Sequence, residues 1–217
     1  MASRGKSAER QRPAPRLYLI APQARTGLAE LLGQALNAAA FAAVLVPLGH
    51  EGDDASRVSH AKGLARGVQE KGAAFLLEGH PHLAAPAGAD GAHLEGFEAL
   101  KAAVPTLKPD RIAGCGALRT RDDAMLAGEA GADYVMFGEP GSSGSRPSFE
   151  AVTERVAWWA ELFEVPCVGF AKSIDEVGPL AAAGADFVAL GDWVFSDRQR
   201  CGSTIADAAV ALAGAAA

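Results

Sequence analysis

The chain has 217 residues, of which 49% are hydrophobic and 21% charged. This length suits one large domain with a full core, and no run approaches the roughly 18–20 apolar residues that a membrane helix needs. The formal net charge is −6, and because residues 1–16 carry five cations and one acid, the remainder stands near about −10. Composition therefore gives no support to a nucleic-acid or membrane partner.

The first fifteen residues lack the apolar segment of a secretory signal, so we expect 1–15 to form a disordered tail. Eight short, mostly apolar runs follow, as is typical of parallel strands covered on both faces. The predicted strands are 17–20, 43–46, 74–77, 92–94, 111–114, 134–137, 167–169 and 187–190.

Helical stretches alternate with these runs. They are predicted at 27–41, 54–71, 96–103, 119–130, 148–163, 173–183 and 203–216, whereas 79–90 looks too short for a full crossover helix. No linker interrupts the alternation, so we predict a single α/β domain over 16–217, a TIM (β/α)8 barrel. An open, doubly wound sheet is the alternative, because periodicity does not show closure.

The tripeptide Gly-Ala-Asp occurs three times, each time just before a predicted strand. The copies are Gly88-Ala-Asp90, Gly131-Ala-Asp133 and Gly184-Ala-Asp186. Glycine can take the left-handed conformation that ends a helix. The strands after the last two copies end in glycine plus an acid, Gly138-Glu139 and Gly191-Asp192, at the edge where parallel α/β proteins build active sites.

Three cysteines, Cys115, Cys167 and Cys201, form no CxxC pair. An odd number of cysteines argues against a disulfide framework, so a reducing cytoplasm is the expected compartment. Cys115 stands between two glycines after a predicted strand, but we interpret it as a buried, inert thiol.

The loop over 138–147 carries the strongest chemical signal. It combines glycines with Ser142, Ser143, Ser145 and Arg146 directly after the sixth predicted strand. Glycine lets backbone N–H groups approach an anion, hydroxyls donate hydrogen bonds, and a guanidinium can clamp two phosphate oxygens. This pattern favours phosphate binding, although an ordinary connector has similar composition.

Several segments stand in the order found in one enzyme family. They are Leu17-Tyr-Leu-Ile20, Gly91-Ala-His-Leu94, Gly114-Cys-Gly116, Gly131-Ala-Asp-Tyr-Val135 and Ala183-Gly-Ala-Asp-Phe-Val188. Over about 16–200 the chain resembles thiamine phosphate synthases and their thiazole tautomerase relatives. The resemblance implies a βα barrel and a role in thiamine phosphate assembly, in which an aminopyrimidine diphosphate joins a thiazole phosphate.

The resemblance also implies which residues meet a small phosphorylated ligand. The family's Thr-x-Thr-Lys loop, which holds pyrophosphate, resembles Ser143-Gly-Ser145-Arg146 here. The implied phosphate-binding set is Gly138, Ser143, Ser145, Arg146, Gly169 and Lys172. Synthase chemistry needs Mg²⁺, and the family's metal-binding Asp aligns roughly with Glu98.

Other family elements are altered. The Gln-x-Arg-x-Lys pattern after strand two is replaced by Val46-Pro-Leu-Gly-His50-Glu51, and the Asn-Asp-Asp set after strand three by Glu78-Gly79-His80. Ala171-Lys172-Ser173 replaces a Gly-Gly-Ile phosphate turn. Because cations that stabilise departing pyrophosphate are missing, we expect weak synthase activity or none.

Three functions stay open. The first is a synthase-like protein with weakened chemistry, and the second is a noncatalytic barrel that binds a phosphorylated ligand or a partner. The third is a tautomerase-like isomerase. The predicted catalytic candidates are Glu78, His80 and His93; for the isomerase they are Glu78 or His93. With His82 and Glu98 these residues have the chemistry of a metal cluster, but solvated histidines are the commoner outcome. A homo-oligomer is compatible with each reading.

Overall fold

A computed structural model describes residues 13–23, 26–49, 52–141 and 144–215. Eight parallel strands close into a barrel in sequence order, with β1 pairing both β2 and β8. The predicted TIM barrel is therefore confirmed, and the open-sheet alternative is wrong. Most of the predicted tail lies outside the described residues.

The strands are β1 (Arg16–Ile20), β2 (Phe41–Pro47), β3 (Ala74–Glu78), β4 (Gly91–Glu95), β5 (Ile112–Gly116), β6 (Tyr134–Phe137), β7 (Cys167–Ala171) and β8 (Phe187–Leu190). The helices are α1 (Leu28–Ala38), α2 (Asp54–Gln69), α3 (Pro81–Ala87), α4 (Phe97–Leu107), α5 (Arg121–Glu129), α6 (Phe149–Leu162), α7 (Val177–Ala182) and α8 (Cys201–Ala215). The segment judged too short for a crossover helix thus forms the seven-residue α3. None of the described helices is both long and apolar enough to cross a membrane.

The core has two layers because alternate strand residues face opposite sides of the sheet. The larger layer lies between strands and helices and contains residues such as Leu19, Phe75 and Trp159. The smaller layer fills the barrel with residues such as Leu45, Met136 and Val168. All three cysteines are free and buried, and burial raises the pKa of Cys115 to about 12. The prediction of an inert thiol at Cys115 is consistent with this environment.

The repeated Gly-Ala-Asp phrase joins neighbouring strands. Each aspartate donates its backbone N–H to the carbonyl of the first or second residue of a neighbouring strand and accepts the N–H of that same residue on its carboxylate. The three carboxylate contacts are Phe75 N to Asp90 at 2.7 Å, Ala113 N to Asp133 at 2.7 Å and Cys167 N to Asp186 at 2.8 Å. The repeat therefore fixes register at three strand starts, opposite the predicted active-site edge.

Candidate active site

A chain of hydrogen bonds crosses the interior of the barrel. The Tyr18 hydroxyl lies 2.8 Å from the Tyr134 hydroxyl, which lies 2.9 Å from Nδ1 of His93. All three side chains are buried, on β1, β6 and β4. The His93 and Tyr134 rings stack at 5.6 Å between centroids. The buried polar groups therefore satisfy one another, and Nδ1 of His93 has a hydrogen-bond partner in the core.

Two glycines on β5 leave room for these hydrogen-bonded side chains. A Cβ on Gly114 would stand 2.1 Å from Cζ of Tyr134. A Cβ on Gly116 would stand 2.4 Å from Oε1 of Glu139 and 2.6 Å from Nε2 of His93. Glu139 and His93 therefore converge above Gly116, which ends β5 at the C-terminal mouth of the barrel.

Glu139 is a half-buried acid that was not among the predicted site residues. Its Oε1 accepts the Ala117 N–H, whereas its Oε2 is buried and has no hydrogen-bond partner among the described residues. Burial raises the pKa of Glu139 to about 7, and the Ala117 hydrogen bond opposes that rise. The signal that pointed here was the acid directly after a glycine at the C-terminal end of a strand.

His93 has the opposite shift. Burial lowers the pKa of His93 to about 4, so its imidazole is neutral at physiological pH. Near neutrality, the mouth therefore holds a partly protonated carboxyl beside an uncharged imidazole. Such a pair can donate, accept or hold a proton without carrying a fixed positive charge.

The other predicted catalytic residues are divided between two environments. Glu78 ends β3, half-buried, in register with His93 on β4. Glu78 also acts on the barrel interior: burial raises the pKa of Tyr18, and the charges of Glu78 and Glu139 add to that rise. His80 instead precedes α3, where burial and Arg57 lower its pKa. The fold thus brings Glu78 and His93 together, and His80 faces the α2 side of the rim.

The described residues contain no group of three or more His, Cys, Asp or Glu side chains arranged to hold a metal ion. His82 contacts Asp54 at 3.2 Å, and Glu98 is exposed in the first turn of α4. Mg²⁺ commonly uses only one or two protein carboxylates together with substrate phosphates. Glu98 as a magnesium ligand therefore stays a prediction.

Arg146 has a different environment from the exposed anion clamp that the sequence suggested. Its Nε donates to the Gly138 carbonyl at 2.7 Å, and one Nη donates to the Phe170 carbonyl at 2.9 Å. The guanidinium also pairs with Glu176 at 2.9 Å, and the Arg146 side chain is only 10% exposed. Arg146 thus ties the loop after β6 to the end of β7.

Two other predicted phosphate-binding residues are glycines, Gly138 directly after β6 and Gly169 within β7. Gly138 has φ 93°, and a Cβ there would stand 2.7 Å from Val152, so this position requires glycine. Gly169 faces outward, where a Cβ would meet Leu180 at 3.0 Å, which makes it a packing residue in this structure.

Lys172 and Ser145 are exposed at the rim. The Lys172 backbone N–H donates to Glu176 at 2.7 Å, and the Ser145 carbonyl accepts the Gly141 N–H at 2.9 Å. Ser143 lies outside the described residues. Phosphate contacts by Lys172, Ser145 and Ser143 stay predictions.

The geometry defines a (β/α)8 barrel whose titratable groups gather at the C-terminal mouth, the face at which barrels of this class carry their active sites. A family model described as thiamine monophosphate synthase matches residues 17–194. The chain belongs to this family, which supports a function in thiamine biosynthesis.

Relatives match over most of their length. A thiamine-phosphate synthase of Rhodospirillum centenum is 37% identical over 198 residues, covering 88% of this chain and 95% of the relative. A second, of Hyphomonas neptunium, is 33% identical and covers 85% and 88%.

Two solved structures share the fold. A thiamine phosphate pyrophosphorylase from Pyrococcus furiosus superposes with a TM-score of 0.76 at 18% identity, covering 92% of this chain and 96% of that one. A 3-hexulose-6-phosphate synthase superposes at 0.71 with 14% identity, covering 90% and 99%.

Proposed function

We propose that this protein binds a phosphorylated thiazole or pyrimidine at the C-terminal mouth of the barrel and has little synthase activity. Family membership over residues 17–194 supports the pathway and the class of ligand. The proposal of weak synthase activity rests on Arg146, whose guanidinium pairs with Glu176 and donates hydrogen bonds to two backbone carbonyls. A guanidinium already neutralised by a carboxylate gives departing pyrophosphate less stabilisation than a free cation.

A synthase assay tests the catalytic half. With Mg²⁺ and both substrates, we expect thiamine phosphate to form at least about a hundredfold more slowly than the typical enzyme range of about 1–10³ s⁻¹. The physical reason is the loss of cationic contacts in the transition state. A turnover inside that range would overturn the proposal of weak activity.

A second candidate function is supported by the neighbouring side chains of His93 and Glu139. A carboxyl with a pKa near 7 beside a neutral imidazole suits proton transfer to or from a carbon or nitrogen atom of the ligand's ring, as a tautomerase-like isomerase requires. Adding the thiazole carboxylate phosphate to the same assay in D₂O gives the readout. Enzyme-dependent isomerisation with deuterium uptake supports this candidate, and its absence leaves the ligand-binding function alone.

Substitution of Arg146 tests the proposal that the protein binds the phosphate of its ligand. If its guanidinium turns to the ligand, Arg146→Ala should weaken pyrophosphate and thiazole phosphate binding by about tenfold to a hundredfold in calorimetry. Glu176→Gln should strengthen binding, because it removes the charge that competes for the guanidinium. Equal binding by wild type and Arg146→Ala, or no binding by wild type, would contradict the proposal.

Arg146→Ala should also lower the free energy of unfolding, by about 2 kcal/mol or more, because it removes the cation paired with Glu176 and the donor to two backbone carbonyls. The matched control is Arg66→Ala, which removes an exposed guanidinium paired with Glu70 and should leave the free energy of unfolding nearly unchanged.

Three further points are part of the proposal. We propose Glu98 as the carboxylate that would hold Mg²⁺ beside the ligand phosphate, where the ion would neutralise phosphate charge. A cytoplasmic location accords with the absence of paired cysteines. Homo-oligomerisation is compatible with the fold and is measured by light scattering.

A further inference from the structure

The two tyrosines inside the barrel form the inner end of the hydrogen-bonded chain that reaches His93. The Tyr18 hydroxyl lies 2.8 Å from the Tyr134 hydroxyl and has no other hydrogen-bond partner among the described residues. The Tyr134 hydroxyl also lies 2.9 Å from Nδ1 of His93. Both tyrosines are buried. Whichever way the protons point, Tyr18 therefore depends on Tyr134 for its hydrogen bond.

Only one arrangement of the protons gives each of these buried hydroxyls an acceptor. If Tyr18 donates to the Tyr134 oxygen, Tyr134 donates to Nδ1 of His93 and no hydroxyl proton is left over. In the reverse direction Nδ1 donates to Tyr134 and Tyr134 donates to Tyr18, whose own proton then has no acceptor. If Tyr18 and Nδ1 both donate to Tyr134, the Tyr134 proton has none. A buried donor without an acceptor disfavours an arrangement by about tenfold or more.

The favoured arrangement decides which nitrogen of His93 carries the proton. A neutral imidazole has one N–H, so Nε2 is protonated when Nδ1 accepts a hydrogen bond. Burial lowers the pKa of His93 to about 4, which keeps the ring neutral at physiological pH. The Tyr134 ring stacks on the imidazole with an interplanar angle of 20°. Tyr134 therefore constrains both the plane of the His93 ring and its tautomer.

The other nitrogen of the His93 ring lies at the outer end of the chain. A Cβ on Gly116, the last residue of β5, would stand 2.6 Å from Nε2. Among the described residues no hydrogen bond joins Nε2 to Glu139, because Oε1 accepts the Ala117 N–H and Oε2 has no partner. The Nε2–H group is therefore directed to the C-terminal mouth, where it can donate a hydrogen bond.

We propose that Tyr134 is a positioning residue, which accepts the Tyr18 proton, donates to Nδ1 of His93 and thereby fixes the Nε2–H tautomer. His93 then acts at the mouth as a neutral hydrogen-bond donor and not as a base. In an isomerase, the group that accepts the substrate proton is then a carboxylate, Glu78 or Glu139. The inference rests on the proposed function in one respect, that the mouth is the working face of the barrel.

Nitrogen NMR of the wild type tests the tautomer and requires neither a ligand nor activity. In protein labelled with ¹⁵N in its histidine rings, a protonated nitrogen and an accepting nitrogen have widely separated chemical shifts. The His93 signals are assigned by their absence from His93→Gln. At neutral pH we expect Nε2 to be protonated and Nδ1 to be the acceptor. A protonated Nδ1, or comparable populations of the two tautomers, would overturn the proposal.

Two tyrosine variants show whether Tyr134 is the cause, because a free histidine also favours the Nε2–H tautomer. Tyr134→Phe removes the hydroxyl that donates to Nδ1, so the ratio of Nε2–H to Nδ1–H should fall by about tenfold. Tyr18→Phe is the matched control: it removes a hydroxyl from the same buried chain, leaves Tyr134 bonded to His93 and should keep the wild-type ratio. An unchanged ratio in Tyr134→Phe, or an equal fall in both variants, contradicts the positioning role.

Calorimetry with pyrophosphate and thiazole phosphate separates this inference from the proposed function. If neither binds and the Nε2–H tautomer depends on Tyr134, the positioning role stands and the proposed function fails. If both bind and His93 is protonated on Nδ1, the proposed function stands and the positioning role is wrong. If neither binds and the tautomer is independent of Tyr134, both are overturned.

Discussion

Glu139→Gln is expected to gain stability relative to the wild type as pH rises, by about 3 kcal/mol in the free energy of unfolding between about pH 4.5 and about pH 7.5. Burial raises the pKa of Glu139 from 4.5 to about 7. Over that interval the unfolded chain loses the proton that the folded chain keeps, so the contribution of Glu139 to stability is present below 4.5 and is lost as pH rises to about 7. Glutamine does not titrate, so the variant escapes this loss.

In the wild type, the titration of His93 should offset much of this change in the free energy of unfolding. Burial lowers the pKa of His93 from 6.5 to about 4. A group with a depressed pKa contributes stability above its unfolded value, and loses it as pH falls towards the folded value. Between about pH 4.5 and about pH 6.5 the two residues therefore have opposite slopes that nearly offset one another.

Urea unfolding of wild type and Glu139→Gln at a series of pH values measures the difference. The variant should show the rising slope that His93 contributes, whereas wild type should be nearly flat in the shared window. Glu129→Gln removes an exposed carboxyl and should run parallel to wild type. Parallel curves for Glu139→Gln and wild type would mean that Glu139 is not held neutral by burial.

The fold was predictable because it depends on local patterns. Eight apolar runs alternating with helical stretches appear in the sequence in the order in which they close the barrel. The glycine that ends a helix before Asp133 or Asp186 is also a local signal. The bracing by those aspartates was not predictable, because each contact joins residues about twenty positions apart.

The candidate site was predictable only in part, for the same reason. The sequence named His93 as a catalytic candidate, but it could not show that Arg146 pairs with Glu176, thirty positions away along the chain. Without that partner, Arg146 looked like a free anion clamp. Likewise, the proton on Glu139 depends on burial and on Ala117, which only the closed barrel brings together.

Gly114→Ala is expected to cost about 4 kcal/mol in the free energy of unfolding, because it overpacks the barrel interior and breaks buried hydrogen bonds. The new Cβ would stand 2.1, 2.3 and 2.4 Å from Cζ, the hydroxyl oxygen and Cε1 of Tyr134. Because these atoms belong to a rigid ring, the conflict forces either β5 or Tyr134 to move. If Tyr134 leaves, Tyr18 and His93 lose their buried hydrogen-bond partner.

A double-mutant cycle identifies the cause. Tyr134→Leu removes the ring atoms that the new methyl group would meet, so Gly114→Ala should cost far less in that background, with a coupling of about 2 kcal/mol or more. Gly33→Ala is the matched control: it adds the same methyl group in α1, where no atom lies within 4 Å, and it should stabilise the helix by up to about 1 kcal/mol. Additive effects of Gly114→Ala and Tyr134→Leu would show that β5 shifts independently of the tyrosine. In that case the glycine, rather than the tyrosine, determines the shape of the pocket that holds His93 and Glu139.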